Sequence, residues 1–172
     1  AMAKLSAIEI GRALNQQYGH IVINLMPTNL YGPNDNFSEN DSHVIPGLIK
    51  RMHIAKINNE KEFSIWGSGK PLREFLYVDD LSMSILHIIE NQIEDDLINI
   101  GSGEEISIYD LSLKIKNILD FHGEIVFDTS MPDGNPRKLI DSTKINSYGW
   151  KHQTSLDEGL KKTYDWFLEN IA

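Results

Sequence analysis

The chain has 172 residues, of which 41% are hydrophobic and 24% charged, with a net charge of −9 at neutral pH and no cysteine. This balance is ordinary for a globular protein; it excludes a disulfide framework and a thiolate metal centre and argues against nucleic acid as a general partner. No apolar run approaches the roughly 18 residues of a membrane span and no secretory leader is visible, so no membrane partner and a cytoplasmic location are expected, with length for about one domain.

Residues 2–18 carry Leu5, Ile8 and Leu14 at helical spacing and end at Gly19, which predicts a helix with a glycine stop. No Ser, Thr, Asp or Asn caps its front. The run IVINLM at 21–26 is apolar on both faces and predicts a buried strand in a parallel sheet, halted by Pro27. Residues 27–42, PTNLYGPNDNFSENDS, read as a long polar loop, and loops of that length in compact domains are commonly functional. Residues 43–58 return to helical spacing, with Pro46 acceptable in a first turn. KEFSIW at 61–66 predicts a strand ending at Gly67, and REFLYV at 73–78 another. Asp79 or Asp80 would then cap a strongly amphipathic helix, LSMSILHIIEN. LINI at 97–100 predicts a strand before a glycine turn. A short strand and a helix follow, with Ser107 as the cap and Gly123 as the stop. EIVFD at 124–128 predicts a strand, and 129–150 a loop-rich stretch with one short helix near 142–148. The last helix is capped by Ser155.

The alternation of helices and strands predicts an α/β fold, and no repeat, low-complexity tract or linker interrupts it. No Gly-x-Gly-x-x-Gly follows a strand, so a dinucleotide phosphate loop is not expected in this chain. GSGKP and GSGEE read as strand-end turns. Asp79 and Asp80 suit a helix start better than an acid–base pair, and IEDD at 93–96 suits a solvated turn. No His and carboxylate spacing suggests a metal, and none is expected.

Five stretches, PTNLYGPNDNF, SHVIPGLIKR, WGSGKPLREFLYVDDL, NIGSGEEISI and PDGNPRKLIDSTKI, occur in this order and spacing. Together they resemble the extended short-chain dehydrogenase/reductase family. Within it the chain is similar to NADP-dependent enzymes that epimerise a GDP-linked 4-keto-6-deoxyhexose at carbons 3 and 5 and reduce its 4-keto group. The resemblance runs from Ala1 almost to the last residue. It implies the C-terminal part of a Rossmann-type enzyme with its smaller substrate-binding domain. Residues 1–33 would be the last helix and strand of a truncated dinucleotide-binding domain. Residues 34–172 would be mostly the nucleotide-sugar-binding domain, with one or more segments returning to the Rossmann sheet. The family's Tyr-x-x-x-Lys motif would be completed by a tyrosine directly before Ala1, with Lys4 as its lysine. The Gly-rich loop and the catalytic serine, tyrosine and cysteine would lie in the missing half, so the chain alone is expected to be inactive. Family dimers are built through the helix bearing Lys4, which implies a homodimer for the whole protein.

The resemblance also implies site residues. Lys4 would lower the pKa of the missing tyrosine through its charge and bind the nicotinamide ribose of NADP(H). His43 would be the acid that reprotonates the epimerised carbon, since an imidazole titrates near neutrality. Pro27, Thr28, Asn29 and Leu30 lie past the carboxyl end of a predicted parallel strand, where open α/β sheets bind ligands; with His43 they are implied at the nicotinamide end. Val44, Arg51, Trp66, Arg73, Asp133 and Lys138 are implied for the GDP-sugar, with Asn36 as a further candidate. Guanidinium forks suit a diphosphate, and an indole covers a flat face. Taken singly, Lys4 reads as a solvated helix lysine, His43 as a surface histidine, residues 27–30 as an ordinary turn and Trp66 as core. Their joint register with the motifs favours the site. The other histidines, His20, His53, His87, His122 and His152, are expected to be structural or exposed. Two alternatives stay open: a related enzyme for another GDP-sugar such as a GDP-heptose, and a nucleotide-sugar-binding fragment without catalysis.

Overall fold

A computed structural model describes residues 2–38 and 41–172 of the chain. The sequence expectations at Ala1, Glu39 and Asn40 lie outside the described residues. Helix α1 (Met2–Tyr18) follows the predicted span and ends at Gly19, whose φ of +68° suits glycine. It approaches the next segment through its buried Gly11, where a Cβ would lie 2.8 Å from Val22. Its apolar Met2, Leu5 and Ile10 stay exposed.

Strand β1 (Asn24–Pro27) pairs in parallel with β5 (Leu97–Ile100). It starts later than the apolar run suggested and includes Pro27 as its last residue, where a missing N–H is tolerated. The long polar stretch after it is not all loop. Asn29–Tyr31 form β2, parallel to β4 (Leu72–Tyr77). Pairing with a distant strand overrides a polar local sequence here. β4 also pairs antiparallel with β6 (Glu105–Ser107) and in parallel with β8 (Arg137–Lys138), a two-residue strand inside the second stretch read as loop. β3 (Glu62–Trp66) and β7 (Glu124–Asp128) form a separate parallel pair.

Helices α2 (Val44–Ile57), α3 (Val78–Glu90), α4 (Ile108–Leu119), α5 (Thr143–Ser147) and α6 (Leu156–Asn170) cover these sheets. Ser107 and Ser155 cap α4 and α6 as predicted, accepting the N–H of Asp110 and of Glu158. Two boundary expectations are corrected. Tyr77, not an aspartate, precedes α3, and Asp79 and Asp80 lie in its first turn. Asp80 is buried and accepts the N–H of Gln153 at 2.9 Å and of Thr154 at 3.1 Å, so it ties α3 to the approach to α6. α4 ends at Asp120 in the left-handed region rather than at Gly123. Gly123 is instead required by space, because a Cβ there would lie 2.3 Å from Phe121.

Two apolar cores result. One joins Ile45, Met52, Leu111, Ile115 and Phe167 from α2, α4 and α6 with Phe63, Ile65 and Tyr77. The other gathers Ile88, Ile98, Ile100, Ile145 and Trp150 with Leu76. β4 lies between them, giving Leu76 to one and Tyr77 to the other.

His53 packs on the first core with its Nδ1 3.0 Å from the Tyr164 hydroxyl. Burial, then Lys56, holds its pKa below the ordinary value. The unfolded chain therefore takes up a proton more readily than the folded one. Stability should be complete above the ordinary histidine range of about 6.5 and fall as pH drops through it. The melting temperature should decline between about pH 7.5 and 5.5 more steeply in the parent than in His53→Gln. Parallel declines would contradict this.

Candidate functional site

The carboxyl end of β1, the start of β2, the N-terminus of α2 and the first half of β4 converge on a cleft of about 740 Å³. Lys4, Pro27, Thr28, Asn29, Leu30, His43, Val44, Arg73 and Lys138 all line it. The sequence motifs thus bring together residues from both ends of the chain.

The turn after β1 is held by the sheet. Thr28 N donates to Ile100 O at 3.0 Å. Asn29 Nδ2 donates to the Glu74 carbonyl at 2.7 Å, and Thr28 Oγ1 lies 3.4 Å from the same oxygen. The Asn29 amide is therefore engaged in fixing the turn to β4. His43 occupies the N-cap of α2 but makes no side-chain cap bond, so its exposed imidazole is not committed to the helix.

Arg73 and Lys138 stand directly opposite each other in the β4–β8 ladder. Like charges facing across strands destabilise a sheet, and both side chains line the cleft. An anion bound between them would offset that repulsion. Among the described residues, Lys4, Arg73 and Lys138 line the cleft together with one carboxylate, Asp35. The Tyr31 hydroxyl lies against Gly159 of α6 in the core, and burial and then Asp80 push its pKa above the ordinary value.

Arg51, Trp66, Asp133 and Asn36 do not line this cleft. Trp66 is 60% exposed, so it is not a core residue. The Arg51 guanidinium lies 5.2 Å from the ring centres of both Phe63 and Trp66, and burial lowers its pKa from the ordinary value. Asp133 accepts Ser68 N at 2.8 Å and Ser68 Oγ at 2.6 Å, which holds its carboxyl below the ordinary range. It latches the 129–138 segment onto the turn after β3. That turn needs its glycine: Gly67 has a φ of +78°, and a Cβ there would lie 2.3 Å from Asp133 Oδ1. The next residue in the latched segment, Gly134, lies close to Arg73, where a Cβ would be 3.1 Å from Nη2. The two clusters thus meet at Arg73. Asn36 bonds within its own loop, to Ser38 N and Asp41 O.

Sequence reasoning passed over Glu74. It alternates with Leu72 and Leu76 on one face of β4, and a carboxylate at an inward strand position was the available signal. Among the described residues no group of three or more His, Cys, Asp or Glu could hold a metal, and no helix is long and apolar enough to cross a membrane.

The chain is similar to known proteins over nearly its whole length. It is 49% identical to the GDP-L-fucose synthase of Sinorhizobium fredii, covering 100% of this chain and 55% of that one. Among solved structures, a GDP-L-fucose synthetase from Naegleria fowleri superposes with a TM-score of 0.89 at 35% identity, over 98% of this chain and 54% of that one. A GDP-6-OMe-4-keto-L-xylo-heptose reductase from C. jejuni gives a TM-score of 0.88 at 33% identity, over 98% and 60%. The chain spans about half the length of the curated relatives it matches. Its parallel strand pairs and flanking helices are those of a partial Rossmann-type fold of the extended short-chain dehydrogenase/reductase kind. A family model covers residues 1–101, the segment that supplies every cleft residue except Lys138; the chain therefore belongs to the NAD dependent epimerase/dehydratase family.

Proposed function

We propose that this chain is the GDP-sugar-binding portion of an NADP-dependent GDP-L-fucose synthase. The whole enzyme would epimerise GDP-4-keto-6-deoxy-mannose at carbons 3 and 5 and reduce the 4-keto group. The observation that carries this reading is the Arg73–Lys138 cation pair facing the same cleft as Lys4 and His43. Residues 1–33 would close the dinucleotide-binding domain, and 34–172 would form most of the substrate domain, with β5 returning to extend the sheet at β1.

Arg73 and Lys138 would hold the diphosphate. Arg51 and Trp66, beyond Arg73, would cover the base, and Asp133 would keep the loop above them closed. Lys4, the 27–30 turn and His43 line the same cleft and fit the nicotinamide end of NADP. That cofactor, when bound, supplies a hydride to the ketone carbon. The Lys4 ammonium would favour ionisation of a tyrosine placed before Ala1, which hands a proton to the ketone oxygen. His43 would return a proton to the carbon inverted by the epimerase step. A homodimer through α1, whose Met2, Leu5 and Ile10 are exposed, and a cytoplasmic site of action complete the reading.

A second reading, a reductase of a GDP-heptose, is supported by the likeness to the C. jejuni heptose reductase. Incubating the intact enzyme with NADPH and either GDP-4-keto-6-deoxy-mannose or a GDP-4-keto-heptose separates the two. Formation of GDP-L-fucose supports the proposal. Turnover of the heptose alone replaces it with the second reading.

A further inference from the structure

Glu74 is a fully buried carboxylate that no step above uses. Its Oε1 accepts the Gly103 N–H at 2.8 Å, and its Oε2 accepts the Ile140 N–H at 3.1 Å. Its main-chain carbonyl accepts Asn29 Nδ2 at 2.7 Å and is 3.4 Å from Thr28 Oγ1. One residue therefore joins three segments that supply cleft walls: the turn after β1, β4 with Arg73, and the 137–140 segment with Lys138. The space around the carboxylate is closed, since a Cβ on Gly101 would lie 2.3 Å from Oε1. Burying a carboxylate on a strand face shared with Leu72 and Leu76 is costly unless its acceptors are used, and an apolar residue in its place would leave the Gly103 and Ile140 N–H groups without their acceptor. What an apolar residue cannot do is accept two main-chain N–H groups and so fix where both segments lie.

We propose, resting on the GDP-sugar reading, that Glu74 is a positioning residue for the substrate's diphosphate. Through Ile140 its side chain sets where β8 lies on β4, and so the spacing of Lys138 from Arg73. The cofactor side depends on Glu74 differently. Thr28 and Asn29 hold its main-chain oxygen, which a side-chain substitution leaves in place.

That asymmetry gives a test that a merely structural role does not pass. In the intact enzyme, Glu74→Gln should raise KM for the GDP-sugar by about tenfold or more, with KM for NADPH within about threefold. A glutamine has one acceptor oxygen, and its amide would face one of the two N–H groups. Gly101→Ala displaces the carboxylate without removing its charge and should produce the same split. Glu74→Asp keeps both acceptors one methylene short and should fall between. The substrate effect should also shrink to about twofold in a Lys138→Ala background, where there is no second cation left to position. Substrate and cofactor KM rising together, or neither changing in any soluble variant, overturns the proposal. Full additivity with Lys138→Ala overturns it as well. If the parent enzyme turns over no GDP-sugar, the functional reading fails instead, and the two failures are distinct.

Discussion

Replacing His43 with Gln in the intact enzyme is expected to slow epimerisation by about 10²- to 10⁴-fold while ketone reduction persists. The imidazole sits at the start of α2 with no cap bond to hold it, and it lines the same cleft as Lys4. Glutamine can keep a hydrogen bond to substrate but cannot carry a proton across the neutral range. The two half-reactions therefore separate. Proton exchange at carbons 3 and 5 is followed by deuterium incorporation from solvent, and reduction by consumption of NADPH. Loss of both to the same degree would make His43 a binding residue. Loss of neither would remove it from the site.

A large effect on stability is expected at Asp80. This carboxylate is 3% exposed and accepts two main-chain N–H groups, from Gln153 and Thr154, at the point where the chain enters α6. Hydrogen bonds to a charged group are worth about 1.5–3 kcal/mol each, and removing the acceptor leaves both donors without it. Asp80→Ala should cost about 3–5 kcal/mol in urea denaturation. Asp80→Asn keeps one acceptor and should cost about half as much. A cost under about 1 kcal/mol for the alanine variant would show that water replaces the carboxylate freely.

Features set by nearby residues were legible in the sequence. Ser107 and Ser155 announce α4 and α6 because a cap is a contact three residues long. Gly19 announces the end of α1 because only local geometry decides it. Features set by distant partners were not legible. Asn29–Tyr31 become a strand only because Phe75, Leu76 and Tyr77 lie alongside, and Arg137–Lys138 only because Leu72 and Arg73 do. Asp80 looked like a cap and is instead a tie to residues 153 and 154, far along the chain.

The site divides in the same way. Motif register brought Lys4, His43, Arg73 and Lys138 to one cleft although they span most of the sequence. It did not separate the cluster of Arg51 and Trp66 from that cleft, and it did not reveal that Asp133 is engaged by Ser68. Glu74 was the least legible residue. Its importance lies in the N–H groups of Gly103 and Ile140, which only the folded chain brings to it.

The central claim is that the cleft is built around a diphosphate held by Arg73 and Lys138. Calorimetric titration of the chain with GDP tests it most directly. One GDP should bind per chain, and Arg73→Ala should weaken binding by about 2 kcal/mol, or roughly 30-fold. Lys138→Ala should weaken it in the same direction. Equal affinity in the parent and Arg73→Ala would contradict the account.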